Sequence, residues 1–117
     1  MKQAILDTNF ILTCVKQKID FFEELYLMGT SIIIPKEVIK EIEKFKEKKS
    51  EAQTALKLLE KKDYQIIELG RGHVDKKIIS YANKNQDILV ASLDKEIQDK
   101  IFNKKIIIRG KKRLEFV

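Results

Sequence analysis

The chain has 117 residues, 44% of them hydrophobic and 36% charged, with 24 Lys and Arg against 18 Asp and Glu for a net charge of +6. This predicts one domain over residues 1–117 with a core of its own, and no apolar run approaches the about 20 residues of a membrane span. A single cysteine, Cys14, and a single histidine, His73, exclude an internal disulfide, a cysteine-based zinc site and a multi-histidine metal site.

Gln3–Leu6 is a short apolar run closed by Asp7 and reads as a strand. Asn9–Val15 and Ile19–Met28 carry apolar residues at helical spacing, and Gly29 suits the exit of the second helix. Ser31–Ile34 is a β-branched strand closed by Pro35, which suits a helix start. Lys36–Lys48 and Glu51–Lys62 are amphipathic helices joined around Ser50, an N-cap candidate. Gln65–Leu69 is a third strand, ended by Gly70-Arg71-Gly72. Val74–Lys84 is a helix, Ile88–Ala91 a strand, Lys95–Phe102 a short helix and Lys105–Ile108 a fifth strand. Gly110 then turns the chain into the tail KKRLEFV.

Strands alternating with helices predict an open parallel sheet covered on both faces. The near-continuous apolar strands (IIIP, IIEL, DILVA, KIIIR) fit burial on both sides. In such sheets ligands bind beyond the carboxyl ends of the strands, near the point where strand order reverses. Acids from four distant stretches fall there: Asp7 after the first strand, Glu37 and Glu41 on the helix after the second, Asp75 after the third, and Asp94 after the fourth.

Each acid has a plainer reading, because Asp is a favoured N-cap. Asp75 resists it, sharing the i, i+3, i+4, i+7 set with Ile78, Ile79 and Ala82 and so heading an apolar stripe. Glu41 lies at the edge of the face set by Val38, Ile42 and Phe45, and Glu37 further toward solvent, so Glu41 is preferred with Glu37 as fallback. Carboxylates converging on one sheet edge repel one another and raise their own pKa values, and a hard divalent cation such as Mg²⁺ or Mn²⁺ relieves this through oxygen ligands. With these acids set aside the rest of the chain is strongly basic. An acidic metal pocket in a basic surround suits hydrolysis of a phosphodiester backbone.

These residues resemble the PIN-domain nucleases over essentially the whole chain. The motifs are Ile5-Leu6-Asp7-Thr8-Asn9, then Pro35-Lys36-Glu37-Val38-Ile39-Lys40-Glu41, then Asp75 with Ile78, Ile79 and Ala82, and last Val90-Ala91-Ser92-Leu93-Asp94-Lys95-Glu96-Ile97. The resemblance implies a three-layer α/β/α domain with a five-stranded parallel sheet in the order 3-2-1-4-5. It implies Asp7, Glu41, Asp75 and Asp94 as catalytic, metal-holding acids, supported by Thr8, Asn9 and Ser92, with Ser92 standing where Thr is more usual. It implies metal-dependent cleavage of RNA. Within the family the compact length and the tail Arg109-Gly110-Lys111-Lys112-Arg113 look most like small archaeal proteins related to the rRNA-processing endonucleases, with toxin nucleases of toxin–antitoxin pairs next. The expected partners are RNA and either a ribosome-assembly factor or an antitoxin. Lys95, Arg109, Lys111, Lys112 and Arg113 are candidate RNA contacts.

Two other classes fit less well. A response-regulator receiver needs an acid pair after the first strand and an Asp after the third, where this chain has one Asp and Glu68-Leu69-Gly70. A non-catalytic RNA-binding scaffold of the same fold would have lost acids. His73 reads as a surface turn residue, Cys14 as a buried inert thiol, and Tyr26, Tyr64 and Tyr81 as core-edge residues. Phe21, Phe22, Leu25 and Tyr26 exceed what one side of a small sheet covers, which predicts a symmetric homodimer through this surface. The opening residues MKQAILDTNF lack the apolar region of a signal peptide, so a cytoplasmic location without membrane contact is expected.

Overall fold

A computed structural model describes residues 2–110 and 112–117. The elements in chain order are β1 (Lys2–Leu6), α1 (Thr8–Lys16), α2 (Phe21–Leu27), β2 (Thr30–Pro35), α3 (Lys36–Lys44), α4 (Ser50–Lys61), β3 (Gln65–Ile67), α5 (Val74–Lys84), β4 (Leu89–Ala91), α6 (Lys95–Asp99), β5 (Lys105–Arg109) and β6 (Arg113–Phe116). The sheet runs β3-β2-β1-β4-β5-β6. The first five strands are parallel and follow the expected order. A right-handed crossover places its helices on one face when the chain steps outward from β1 to β3, and on the other when it returns to β4 and β5. α1, α3 and α4 accordingly pack on one another, and α5 packs on α6.

The core is what the apolar runs dictate. Ala4–Leu6, Ile32–Ile34 and Leu89–Ala91 are buried in the central strands. Phe10, Ile11, Val38, Ile42, Ala52, Ala55 and Leu59 cover one face, and Ile78, Ala82 and Ile97 the other. Cys14 is fully buried, and burial first, with Glu24 nearby, pushes its thiol up to about 12. No helix among the described residues is long and apolar enough to cross a membrane.

Five expectations are corrected. The tail is a sixth strand, β6, antiparallel to β5, with Ile106 opposite Phe116 and Ile108 opposite Leu114. Its period-2 pattern Arg113-Leu114-Glu115-Phe116 buries Leu114 and leaves Arg113 and Glu115 in solvent. β3 is not buried on both sides. It is a three-residue edge strand with Gln65 and Ile66 exposed; its pairing stops at Ile67, opposite Pro35 where β2 ends, and the Leu69 and Gly70 N–H groups beyond donate to the Glu37 carboxylate instead. Ser50 does not cap α4; it is the first helical residue, and its hydroxyl donates to Glu51. α3 ends at Lys44 rather than Lys48, its last turn tightened by the Phe45 N–H donating to Ile42 O, and α6 ends at Asp99 rather than Phe102, leaving Phe102 88% exposed.

The fifth concerns α2. Phe21, Phe22 and Leu25 are buried within the chain, so the surplus surface that predicted a homodimer shrinks to Tyr26 (77% exposed), Leu27 and Met28. Tyr26 is therefore no core-edge residue, whereas Tyr64 and Tyr81 are partly buried against the core. The helix starts at Phe21 because Asp20 caps it, accepting from the Glu23 N–H at 3.1 Å.

Candidate active site

β1 and β4 lie side by side with Leu6 opposite Ala91, and this is where strand order reverses. The next residue on each strand, Asp7 and Ser92, is therefore fixed by the register. The Asp7 N–H continues the ladder to Ala91 O at 3.0 Å, and Asp7 is only 4% exposed. Its Oδ1 accepts from the Thr8 N–H at 2.8 Å and its Oδ2 from the Ser92 hydroxyl at 3.1 Å. The Ser92 Oγ accepts in turn from the Asp94 N–H at 3.0 Å, and Ser92 O is held by the Gln98 side-chain amide at 2.7 Å. One hydroxyl thus ties the first acid to the loop carrying the fourth.

Asp94 is the N-cap of α6, accepting from the Glu96 N–H at 2.9 Å. Asp7 occupies the same position for α1. The capping reading is correct for both and does not use up either carboxylate. Asp75 is different: it sits in the first turn of α5, with His73 at the cap position, and it is exposed rather than turned into the core. Glu41 is half-buried on α3.

Asp75 lies within electrostatic reach of Asp7, Glu41 and Asp94, and Glu41 within reach of Asp7. Burial pushes the Asp7 carboxyl up from 3.8 to about 6, with Asp75 and Glu41 adding to the rise and the Thr8 and Ser92 hydrogen bonds opposing it. Asp75 is also raised, first by partial burial, then by Asp94, which is close enough to share a hydrogen bond with it, and by Glu41 and Glu96. Glu96 is thus a fifth acid at this edge; the sequence placed it next to Asp94 but gave no reason to choose it. Glu37 is spent elsewhere. Its two oxygens accept from the Leu69 and Gly70 N–H groups at 3.0 and 3.2 Å.

As the side chains lie, no three Asp, Glu, His or Cys residues among the described residues form a ready-made metal-binding group. Carboxylates repel at short range, and exposed Asp75 and half-buried Glu41 have rotamers free to turn. The donor set nevertheless suits a hard cation. It is all oxygen, and the Thr8 Oγ1 beside Asp7 is buried without a hydrogen-bond partner.

A family model of the PIN-like domain matches residues 4–112. The chain belongs to the PIN-like domain family. Ribonuclease VapC4 of Methanocaldococcus jannaschii is 30% identical over 126 aligned positions, covering 98% of this chain and 96% of that protein. The solved structure of the PIN domain endonuclease Utp24 superposes with a TM-score of 0.82 at 25% identity, covering 97% of this chain and 90% of that one. VapBC2 from Rickettsia felis, solved bound to a promoter DNA fragment, shares the fold with a TM-score of 0.62 at 17% identity, over 88% of this chain and 98% of that one.

In this PIN-like domain the remaining candidates scatter. Asn9 is exposed on the first turn of α1. Lys95 extends into solvent beside Asp94 and lies 3.8 Å from Asp99. Arg109 pairs with Glu115 at 2.8 Å, and with Arg113 it flanks Glu24 of α2 and Met28 just after it; Glu24 accepts from the Leu114 N–H at 3.2 Å. Lys112 is exposed in the same turn, and Lys111 lies outside the described residues. A cleft of about 830 Å³ opens between α2 and the first residues of β2 and β3, lined by Phe22, Tyr26 and Tyr64, at the opposite end of the strands from Asp7. Volume does not mark the acidic site; charge and register do.

Proposed function

We propose that this PIN-like domain is a divalent-metal-dependent endoribonuclease, hydrolysing RNA phosphodiester bonds in rRNA or other RNA processing. The observation that carries the reading is a buried carboxylate, Asp7, locked at the sheet's switch point with Glu41, Asp75 and Asp94 around it. Burying a charge among like charges is costly unless something positive joins them. The relation to an archaeal ribonuclease and the likeness to a PIN endonuclease support the reaction class.

Asp7, Asp75, Asp94 and Glu41 would hold Mg²⁺ or Mn²⁺, with the Thr8 hydroxyl as a further oxygen donor. When bound, such an ion lowers the pKa of water and stabilises a leaving oxygen. The protein's own contribution is orientation. The Thr8 N–H and the Ser92 hydroxyl fix both Asp7 oxygens, and Ser92 places the Asp94 loop against them. The half-exposed side formed by α3 and α5 leaves room for a polyanion, and the basic surround draws it in. The medium is taken to be the cytoplasm, and the domain to span residues 1–117.

A second reading, a toxin nuclease restrained by an antitoxin, draws on the 30% identity to VapC4. Labelled single-stranded and structured RNAs incubated with Mn²⁺, Mg²⁺ or EDTA test the proposal. Cleavage should need the metal and vanish in Asp7→Asn. Metal-independent cleavage, or cleavage retained in that variant, would overturn it.

A further inference from the structure

The stretch Glu68–His73 joins β3 to α5 and leads directly to Asp75. Gly70 and Gly72 adopt φ +97 and +117, so the backbone bends on both sides of Arg71 in a way that side-chain-bearing residues resist. A free loop of this kind would wander. Here it is gripped from α3: Glu37, one turn before Glu41, accepts from the Leu69 and Gly70 N–H groups, and Lys36 lies 3.5 Å from Glu68. Burial alone would raise the Glu37 carboxyl, but the backbone N–H groups of Leu69, Glu37 itself and Gly70, with Lys40 beside it, outweigh this and hold it ionised below its usual range.

The grip has a consequence for charge. The Glu37 carboxylate keeps its charge, but both its oxygens are engaged by the Leu69 and Gly70 N–H groups, and it forms no ion pair with a cation among the described residues. Arg71, Lys40 and Lys76 are exposed, and Lys77 runs its stem past Gly72, its Cε 3.1 Å from where a Cβ would be. Arg71 forms no hydrogen bond or ion pair among the described residues. The loop thus carries an exposed, unpaired guanidinium four residues before Asp75, with exposed Lys40 and Lys76 on the helices that bear Glu41 and Asp75. A guanidinium presents a planar fork of donors that matches phosphate oxygens.

We propose that Glu37 is a positioning residue that braces the Gly70–His73 loop, so that Arg71 grips a phosphate of the RNA strand beside Asp75. This rests on the ribonuclease reading above, and it assigns to Glu37 a role distinct from metal binding.

The test is binding of a labelled short single-stranded RNA in EDTA, followed by fluorescence anisotropy over a range of NaCl concentrations. Arg71→Ala should weaken binding about fivefold and flatten the log–log salt dependence by about 0.7, as for one lost phosphate contact on a single strand. Arg71→Lys should keep the slope. Glu37→Gln, which cannot accept with both oxygens, should weaken binding to a similar extent and speed hydrogen exchange at the Leu69 and Gly70 amides. The double variant should bind no more weakly than either single one, because both remove the same contact. Multiplying effects, or an Arg71→Ala slope equal to wild type, would overturn the proposal, and the second result decides even if Glu37→Gln fails to fold. Failure of the ribonuclease reading shows separately, as absence of metal-dependent cleavage by the wild-type protein.

Discussion

The acidic edge has two halves built on opposite principles. On the β1/β4 side, Asp7 is buried and both its oxygens are held by hydrogen bonds. On the α3/α5 side, Glu41 and Asp75 stand on helix surfaces, exposed to solvent in varying degree, and no backbone N–H or hydroxyl among the described residues fixes their oxygens. Backbone register positions the first half, so it is rigid and carries the electrostatic cost. Helix packing positions the second half, so it is adaptable. A nuclease site needs both: one carboxylate that does not move, and others that adjust around an ion and a strand of varied sequence.

Substitution gives the widest contrast. Asp7→Asn and Asp75→Asn should each lower metal-dependent RNA cleavage at least about 10³-fold, as expected when a ligand that balances charge is lost. Asp7→Asn should raise the stability of the metal-free protein by about 2 kcal/mol at neutral pH, and Asp75→Asn by clearly less, since only the first removes a deeply buried charge. Equal melting temperatures for the two variants would erase the distinction between the halves.

Titration reads the same buried charge without a substitution. The folded pKa of Asp7 lies above its unfolded value, so the native state holds this proton more tightly. The resulting stability is complete below about pH 4 and disappears as pH rises through about 6. For a shift from 3.8 to about 6 this amounts to about 3 kcal/mol at most. Asp75 shifts in the same direction, and Glu37, shifted the other way, acts mainly below its ordinary 4.5. Denaturant unfolding in EDTA should therefore show the Asp7 contribution to stability falling between about pH 4 and pH 6 in wild type and a much flatter profile in Asp7→Asn.

Metal binding should act against that loss. At a concentration of Mn²⁺ about 100-fold above its dissociation constant the native state gains about 2.7 kcal/mol. The rise in melting temperature should be larger at pH 7.5 than at pH 5 and absent in Asp7→Asn; a rise independent of pH would show binding away from this edge. Ser92→Ala comes next. It strips a donor from Asp7 and an acceptor from the Asp94 N–H, and should cost about 1 kcal/mol while raising the Asp7 pKa further. The smallest effect is expected from Arg109→Ala and Arg113→Ala, which sit by α2 and should change RNA affinity less than twofold in the same anisotropy assay.

The rigid half was the more legible in sequence. An acid directly after an apolar strand and before a helix has its place fixed by two regular elements, which is why Asp7 and Asp94 could be assigned to one sheet edge. Helical periodicity aligns Asp75 with buried Ile78 and Ala82, yet Asp75 is exposed in the first turn of α5, because periodicity gives a residue's side of a helix and not how far along that helix the cover extends. Glu37 and Glu41 are four residues apart on one helix, so periodicity puts them on nearly the same side. What separates them is a backbone from another part of the chain, Leu69 and Gly70, and no local pattern contains that. The β6 strand was hidden for a related reason. Four residues with two charges look like a tail until the exposed edge of β5 offers them a ladder.

Cys14 has a use independent of chemistry at the acidic edge. It is the chain's one thiol, fully buried on the helix that Asp7 begins, and burial holds it protonated up to about 12. A thiol reagent can modify it only when α1 lifts away from the sheet, so the labelling rate is a clock for opening of this region. Lifting α1 also displaces Thr8 and the N-terminal turn that holds Asp7. Slower labelling in the presence of Mn²⁺ would therefore report occupancy of the acidic edge from within the core, with no RNA and no turnover in the assay.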